Sequence, residues 1–418
     1  MPHAERPDIW WQVYPLGALG APIREADPAV ARSPDGVVHR LPRLLPWLDH
    51  AAGLGATGVL LGPIFASETH GYDTTDHGRI DPRLGDEADA VALFAAAHER
   101  DLRVMLDGVF NHVGRSHPRY RRALEEGPGS DAARLFRIDW HDGGARPAVF
   151  EGHGGLVVLD HAQAEVEAFV AGVMNRWLDV GADGWRLDAA YAIDPGFWAR
   201  VLPRVHAAHP NATFVGEVIH GDYAAIVERS GVDSVTQYEL WKAIWSSIHD
   251  RNLFELAWAL ERHNRLLERF RPMTFVGNHD VTRIASQVGE AGAAVAVAIL
   301  MTLGGSPSIY AGDEFGLHGR KEQRLGGDDA LREALPAGPA DFGSPASGIL
   351  EVHRRLIDLR RRNPWLADAP TRVITIENAC MVYETGGDPV ARVTIDLAGT
   401  PRAVVRIGDE EVVATAGA

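Results

Sequence analysis

The sequence predicts an α/β protein built on a (β/α)8 barrel of the TIM type, with a small excursion domain after the third strand and a small antiparallel β domain at its C-terminal end. Its 418 residues are enough for one large barrel with appendages. Over most of the chain, short apolar runs alternate with amphipathic helical patterns, which indicates parallel strands joined by crossover helices. Beyond Pro364, short β-type runs separated by Gly, Asp and Pro replace that alternation.

Eight apolar runs are candidate barrel strands, and helical patterns separate most of them. Units of this kind match a barrel with insertions, whose long loops are expected at the carboxyl ends of the strands. The candidate strands are residues 9–14, 58–61, 103–106, 184–187, 213–215, 234–236, 274–276 and 308–310. The candidate helices are residues 41–52, 88–99, 164–180, 197–209, 239–269, 291–303 and 349–362.

The chain divides into three predicted domains. Residues 1–112 and 161–365 form the barrel. Residues 113–160, rich in Gly, His, Arg and Asp and with little periodicity, form the excursion domain. Residues 366–418 form the C-terminal β domain, with β-type runs at residues 372–377, 381–384, 391–395, 403–407 and 411–415.

Composition excludes several classes of protein. Asp and Glu number 57 against 41 Lys and Arg, a net charge of −16, which argues against the basic surface that nucleic acids require. Cys380 is the only cysteine, so an intrachain disulfide and a cysteine-based metal site are excluded. The first residues lack a signal-peptide pattern, and no run of about 18 apolar residues is present. We therefore expect a soluble, cytoplasmic protein with neither nucleic acid nor a membrane as partner.

Polar and charged residues follow four of the candidate strands. In a barrel such positions converge on one rim, where active sites of this fold lie. One such carboxylate alone could cap a helix or form a structural ion pair, but four strands that end this way are hard to explain by coincidence. The residues are Asp107 with Asn111 and His112, Asp188, Glu217, and Asn278 with His279 and Asp280.

This set suits glycoside hydrolysis. The sequence has no glycine-rich phosphate loop next to a strand, so nucleotide chemistry is not favoured. Glycoside hydrolysis needs one carboxylate as nucleophile or base and a second, protonated carboxyl as acid. Arg186 precedes Asp188 by two residues on the same strand face, so we expect it to hold that carboxylate ionised. Glu217 then requires a dry pocket or a neighbouring like charge to keep its proton.

Four motifs in order resemble those of the α-amylase family, glycoside hydrolase family thirteen. They cover nearly the whole chain, and their order is more specific than any one of them. The motifs are Asp107-Gly-Val-Phe-Asn111-His112, Gly184-Trp-Arg186-Leu-Asp188, Gly216-Glu217-Val and Phe275-Val-Gly-Asn278-His279-Asp280.

The resemblance implies a retaining mechanism and a role for each site residue. Asp188 is the expected nucleophile, Glu217 the general acid/base and Asp280 the stabiliser of the distorted sugar ring. The expected substrate-binding residues are Tyr72, which stacks under the sugar, His112 and His279, which donate to its hydroxyls, and Arg186, Asp328 and Arg332.

Two departures from the family pattern bear on cofactor and substrate. Asn111 stands where many α-amylases ligate calcium, yet calcium also needs oxygen ligands from the excursion domain. We expect no required cofactor, with calcium at Asn111 as an option and a structural hydrogen-bonding role as the alternative. Tyr191 lies where calcium-dependent members have Lys, so it is expected to narrow the leaving-group side. Residues 150–155 form either a lid over that side or a packed connection.

The predicted function is hydrolysis of α-1,4-glucosidic bonds in short maltooligosaccharides or related α-glucosides. A transglycosylase or isomerase of the same family would keep the same carboxylates and stays open. A non-catalytic sugar-binding relative is disfavoured because all three carboxylates are present. A metal-dependent barrel hydrolase would use His112, His279 and Asp280 as ligands. Exo and endo action are not distinguished.

Overall fold

The computed structural model describes residues 8–141, 144–324, 326–342 and 348–415. Within these ranges, eight parallel strands form a nearly closed barrel, as predicted. Their order in the sheet is β6-β5-β4-β3-β2-β1-β8-β7, and a bridge between Thr236 and Met273 joins the two ends. The strands are β1 (Trp10–Val13), β2 (Gly58–Leu61), β3 (Arg103–Gly108), β4 (Gly184–Leu187), β5 (Thr213–Gly216), β6 (Ser234–Val235), β7 (Met273–Phe275) and β8 (Ser306–Tyr310).

The two faces of the strands form separate apolar layers. Trp11 of β1 stacks on Trp47 of an outer helix, with ring centroids 6.1 Å apart. Its neighbour Trp10 points the opposite way, because successive side chains of a strand alternate between faces. The inner cluster contains Trp10, Leu60, Met105, Val215 and Met273, one side chain from each of five strands. The barrel interior is therefore a packed core and not a pore.

Helices surround the barrel. The predicted helix 239–269 is wrong as one element, because the chain breaks at Arg251, whose left-handed φ of 50° ends the first helix. A helix at Tyr223–Ser230, capped by the Asp222 side chain, was not predicted. The helices are Pro15–Ala18, Pro28–Arg32, Leu45–Leu54, Glu87–His98, Pro118–Glu126, Ala164–Val180, Pro195–Ala208, Tyr223–Ser230, Tyr238–Asp250, Phe254–Leu267, Ile284–Thr302 and Ile349–Arg362.

One helix among the described residues, Ile284–Thr302, is long and apolar enough to cross a membrane by length and composition alone. It is not an unbroken apolar run, since Gln287 and Glu290 interrupt it. Of its most apolar window, 67% is buried inside the protein, as expected of a core helix. It packs against helices Tyr238–Asp250 and Ile349–Arg362 and against the C-terminal sheet.

The C-terminal region is an antiparallel sheet, as predicted, and the described residues give it five strands. Alternate side chains such as Met381, Tyr383 and Thr385 are buried, so one face packs on the barrel. The Tyr383 hydroxyl lies 2.7 Å from Thr302 Oγ1 of the apolar helix. The strands, in sheet order, are β9 (Thr371–Ile376), β10 (Cys380–Gly386), β11 (Val390–Asp396), β12 (Arg402–Ile407) and β13 (Glu410–Ala414).

The excursion region lies between β3 and β4. Its first strand, His112–Gly114, pairs antiparallel with Leu156–Val158, so the segment leaves and re-enters the rim at the same place. A second short pair joins Ile138–Asp139 to Arg146–Pro147. The predicted domain boundaries stay a prediction, and residues 1–7 and 416–418 at their ends lie outside the described ranges.

Candidate active site

A cavity of about 1100 Å³ opens at the carboxyl ends of the barrel strands. It is at the upper end of the size range of ligand-binding pockets in proteins. Of the predicted site residues, those that line the cavity are Tyr72, His112, Asp188, Glu217, Asp280, Asp328 and Arg332. Arg186 and His279 are not among the lining residues. Both are almost fully buried and contact the lining carboxylates from behind.

The strand register brings Asp188 and Glu217 together. Leu187 of β4 pairs with Gly216 of β5, so the next residue of each strand, Asp188 and Glu217, lies at the same level of the rim. Arg186 pairs in the same way with Asp107 of β3. The sequence could indicate that these residues end strands, but only the register shows that they are neighbours.

The Arg186 guanidinium contacts three carboxylates. Nη1 lies 2.6 Å from Asp107 Oδ1 and 3.4 Å from Asp188 Oδ1, and Nη2 lies 2.5 Å from Glu217 Oε1. Arg186 contacts Asp188, as expected, but its two shorter contacts are to Asp107 and Glu217. That Arg186 holds Asp188 ionised stays a prediction. One buried cation faces three carboxyl groups, so ionising all three would leave an excess of negative charge.

That excess shows in the acidity of the carboxyl groups. Burial, and then the charge of Glu217, raise the pKa of Asp188 well above its ordinary value, while Arg186 acts to lower it. Burial also raises the pKa of Asp107. The Glu217 side chain is 8% exposed and lies in the same group of carboxyls.

Backbone geometry fixes the orientation of Glu217. Ala189, the residue after Asp188, has the left-handed conformation (φ 47°, ψ 35°), which is uncommon for a residue with a Cβ. In this conformation its N–H donates to Glu217 Oε2 at 3.0 Å. The Tyr191 N–H donates to the Glu217 carbonyl at 3.2 Å, and the Tyr238 hydroxyl donates to Oε1 at 3.2 Å.

Asp280 lies in the same cavity, but residues other than Arg186 contact its carboxylate. Arg332 Nη2 donates to its Oδ1 at 2.7 Å, and His279 Nε2 lies 2.9 Å from its Oδ2. Burial acts to raise the pKa of Asp280, but His279 and Arg332 outweigh it and hold the pKa well below its usual range. Asp280 is therefore ionised near neutral pH. Lys321 joins Asp328 to this region, with its Nζ 3.0 Å from the Asp280 carbonyl and 3.3 Å from Asp328 Oδ1.

His279 lies between two tyrosines. Its ring stacks on Tyr72 (centroids 5.5 Å apart, 7° between planes) and on Tyr14 (6.2 Å, 4°). Gln12 contacts Nδ1 at 3.1 Å, and Nε2 contacts Asp280 and the Tyr72 hydroxyl. Both ring nitrogens are therefore engaged within the protein, which gives His279 a positioning role. Direct donation from His279 to a substrate stays a prediction.

His112 is engaged in a similar way. Its Nε2 donates to the Tyr72 carbonyl at 3.0 Å, and the Asn111 amide contacts Nδ1 at 3.1 Å. Burial lowers the pKa of His112 to about 3, so the ring is neutral at physiological pH. Its face stacks on Phe150 of the excursion region, with centroids 4.9 Å apart. A bond from His112 to substrate also stays a prediction.

Asn111 makes two contacts within the protein. Its side-chain amide contacts His112 Nδ1 at 3.1 Å, and its backbone carbonyl accepts a hydrogen bond from the Leu159 N–H. In the described ranges, one trio of imidazole and carboxylate side chains has ligand atoms within 4.8 Å of one another, and it is His39, Asp86 and Asp89. Asp86 and Asp89 already form the capping box of helix Glu87–His98. Calcium at Asn111 stays a prediction.

Sequence reasoning missed several residues that shape the site. Tyr238 contacts Glu217, while Gln12 and Tyr14 hold His279. Tyr238 follows β6 closely, so it carried the strand-end signal that identified the carboxylates. Gln12 carried a different signal, since it is a polar residue inside an otherwise apolar strand. Trp241 and Trp245 also line the cavity, on the helix that Tyr238 begins.

Comparison with known proteins adds to this geometry. The family described as alpha amylase, catalytic domain, matches residues 44–341. The chain belongs to the α-amylase family. That assignment agrees with the eight-stranded barrel and with the order of the four sequence motifs.

Within the α-amylase family, two curated relatives illustrate the similarity. The chain is 30% identical over 380 residues to a cyclomaltodextrinase of Geobacillus thermopakistaniensis, covering 85% of this chain and 62% of the relative. It is 28% identical over 388 residues to a maltogenic alpha-amylase of Bacillus acidopullulyticus, covering 86% and 63%. The chain thus spans about three fifths of the length of these relatives.

Two solved structures illustrate the similarity of the fold. The cyclic alpha-maltosyl-(1→6)-maltose hydrolase of Arthrobacter globiformis superposes with a TM-score of 0.80, covers 98% of both chains and is 24% identical, which shows a common fold. The debranching enzyme of Nostoc punctiforme gives a TM-score of 0.78 at 26% identity, covering 96% of this chain and 88% of the other.

Proposed function

We propose that this α-amylase family protein is a retaining glycoside hydrolase that cleaves α-1,4-glucosidic bonds of short maltooligosaccharides. The observation that carries the proposal is the contact of one guanidinium, that of Arg186, with both Asp188 and Glu217 in a cavity that also contains Asp280. The names of the curated relatives, cyclomaltodextrinase and maltogenic alpha-amylase, support the substrate class. Another relative is named intracellular maltogenic amylase of Bacillus subtilis, so an intracellular location is part of the proposal.

In the proposed reaction, Glu217 transfers its proton to the glycosidic oxygen while Asp188 attacks the anomeric carbon. The bond from that carbon to the leaving sugar breaks, and a covalent glycosyl-enzyme forms. Glu217, now ionised, takes a proton from water, and the water oxygen displaces Asp188 from the anomeric carbon. The two inversions give net retention, and both carboxyls return to their starting protonation states.

Arg186 and the surrounding dipoles support that proton cycle. The guanidinium lies between the two carboxylates, so it stabilises whichever of them bears the charge at each stage. The Ala189 N–H and the Tyr238 hydroxyl both point at Glu217, and they hold its carboxyl in place during proton transfer.

Asp280, the third carboxylate of the proposed catalytic set, also supports the proposal. Its charge is maintained by Arg332 and His279, so it is available to bind hydroxyls and to stabilise positive charge that develops on the sugar ring. Because those partners are themselves buried, the carboxylate is held in one orientation.

Product analysis tests the proposal. Purified protein is incubated with maltotriose, maltoheptaose, a cyclodextrin, isomaltose, trehalose and sucrose, beside Asp188→Asn and Glu217→Gln variants. We expect glucose or maltose from the linear maltooligosaccharides, near-complete loss of turnover in Asp188→Asn and a loss of about 10²–10⁴-fold in kcat for Glu217→Gln. Asp409→Asn, an equivalent change at an exposed turn, is the control and should keep full activity.

Two results would contradict the proposal. One is no turnover of any of these sugars by the wild-type protein. The other is substantial activity in a folded Asp188→Asn variant. Polarimetry or NMR of the first-formed product should show the α-anomer, because a double displacement retains configuration. Longer products at high sugar concentration would indicate transglycosylation by the same carboxylates.

A further inference from the structure

A short segment of the excursion region is attached to the catalytic rim at two points. The segment is the single helical turn Phe150–Gly152. The ring of Phe150 stacks on His112, with 4.9 Å between centroids and 17° between planes. The Glu151 carboxylate accepts a hydrogen bond of 2.7 Å from the Tyr191 hydroxyl, in the loop after β4. The excursion region therefore spans from the end of β3 to the loop of the next strand.

Glu151 adopts a backbone conformation that its residue type disfavours. Its φ of 46° and ψ of 33° lie in the left-handed region, which is costly for a residue with a Cβ. Glycines lie close by at 152, 154 and 155, and the space where a Cβ would project from each is open, so the backbone around Glu151 is not confined by packing there. The bond from Tyr191 and the stacking of Phe150 on His112 help to hold this segment. The ring of Phe150 also contacts that of Tyr191, and Arg115 donates a hydrogen bond to the Gly154 carbonyl.

The hydrogen bond between the Glu151 and Tyr191 side chains, the Glu151–Tyr191 bridge, lies next to Glu217, the proposed acid. The Tyr191 N–H donates to the Glu217 carbonyl, and the Tyr191 ring lies 5.3 Å from the ring of His220 in the loop after β5. In the proposed function, Glu217 faces the leaving-group oxygen. Tyr191 contacts Glu217 and lines the cavity. In that function it lies on the leaving-group side.

We infer that the Glu151–Tyr191 bridge determines specificity by closing the leaving-group side of the cavity, so that only a short leaving sugar is accepted there. The inference rests on the proposed function. Glu151 and Tyr191 both line the cavity, so their hydrogen bond joins two parts of its wall. The ring of a cyclic glucan must continue past the leaving-group oxygen with several sugars, whereas a linear glucan can place a single sugar there. A leaving group of one or two sugars fits in the cavity while the Glu151–Tyr191 hydrogen bond stays intact.

Kinetics with a cyclic and a linear substrate test the inference. The measured quantity is the ratio of kcat/KM for a cyclodextrin to kcat/KM for maltotriose. Tyr191→Phe removes only the hydroxyl, and Glu151→Ala removes the carboxylate. A hydrogen bond to a charged group contributes enough that each variant should raise the ratio about tenfold, mainly through a lower KM for the cyclodextrin.

Three further variants separate the bridge from a general effect on folding. The double variant Glu151→Ala with Tyr191→Phe should raise the ratio no further than either single variant, because both remove the same bond. Glu151→Gln keeps an oxygen that accepts from Tyr191 and should stay close to wild type. Glu165→Ala, an exposed acidic residue on an outer helix, should leave the ratio unchanged.

The outcomes distinguish this inference from the proposed function. If the wild-type protein cleaves neither substrate, the inference and the proposed function are both wrong. If it cleaves them and the ratio stays within twofold in both single variants, the bridge has no role in specificity and the proposed function stands. Equal loss on both substrates would likewise overturn the inference, since it would show a structural effect alone.

Discussion

At the level of single residues, the main feature of the site is an imbalance of charge: one cation, Arg186, faces several carboxyl groups. Asp107, Asp188 and Glu217 all contact this one guanidinium. Burial and like charge raise the pKa of Asp188, which means that the folded protein resists the ionised form that the proposed mechanism needs. Catalytic residues arranged in this way commonly cost stability.

This imbalance predicts how Asp188→Asn changes stability with pH. A carboxyl whose pKa is higher in the folded than in the unfolded state costs the folded protein stability as the pH rises above about 3.9, its unfolded value. The amide removes that cost. We therefore expect Asp188→Asn to be more stable than wild type at pH 7, with a difference that shrinks toward pH 4.

Urea unfolding followed by circular dichroism between pH 4 and pH 8 measures that difference. The exposed Asp409→Asn should show no such pH-dependent gain. A constant or negative difference for Asp188→Asn across this range would show that Arg186 fully compensates the ionised carboxylate in the folded protein.

At the scale of elements, the rim depends on close backbone approaches that only glycine permits. Gly17, in the short helix Pro15–Ala18 after β1, is one of these positions: a Cβ there would lie 1.9 Å from the carbonyl oxygen of Arg332. Arg332 in turn donates to Asp280 and to the His279 carbonyl. The helix after the first strand thus positions a residue that belongs to the loop after the eighth.

Gly17→Ala is expected to move Arg332 away from Asp280. The overlap involves backbone on both sides and cannot be relieved by a side-chain rotation, so we expect a loss of about 1–3 kcal/mol in stability. A fall in kcat/KM should accompany it. Calorimetry and maltotriose kinetics measure the two effects.

Gly172→Ala is the matched control. Gly172 is exposed in the middle of helix Ala164–Val180, with nothing within 4 Å of the added Cβ. That change should raise stability by about 0.5–1 kcal/mol and leave kcat/KM unchanged. If Gly17→Ala behaves like Gly172→Ala, the approach of Arg332 does not constrain the rim.

The elements also show where sequence patterns succeed and fail. The eight strands could be predicted because buried parallel strands appear as short apolar runs. The break at Arg251 could not, because a left-handed residue other than glycine leaves no compositional mark. Helix Tyr223–Ser230 could not be predicted because it is short, with eight residues in about two turns, and its two buried residues lie at its ends.

At the scale of the whole molecule, the C-terminal sheet and the barrel share one apolar interface. Strands β11, β12 and β13 contact helix Ile284–Thr302, whose apolar surface would otherwise face water. Val405 in β12 is fully buried, while its neighbour Val404 is half-buried on the other face of the sheet. The sheet therefore covers a core helix of the barrel.

Val405→Asp tests that interface. A carboxylate without a partner at a buried position should cost at least about 3 kcal/mol and lower the Tm of the whole protein in one transition. Val404→Asp, one residue away on the other face, should cost only about 1 kcal/mol. Calorimetry distinguishes the two outcomes, and a separate low-temperature transition for the sheet would show that it folds independently of the barrel.

The barrel, the antiparallel C-terminal sheet and the family could all be predicted from apolar periodicity and motif order, because both are local properties of the chain. Asp188 and Glu217 could be identified because each directly follows a strand, and Asp280 because it ends a motif that begins in one. How the charges are shared could be seen in the folded structure alone: which carboxylates Arg186 contacts, that Tyr14 and Tyr72 enclose His279, and that Glu151 meets Tyr191. Those contacts join residues far apart in the chain, and their geometry is set by strand register and loop conformation, which no local pattern specifies.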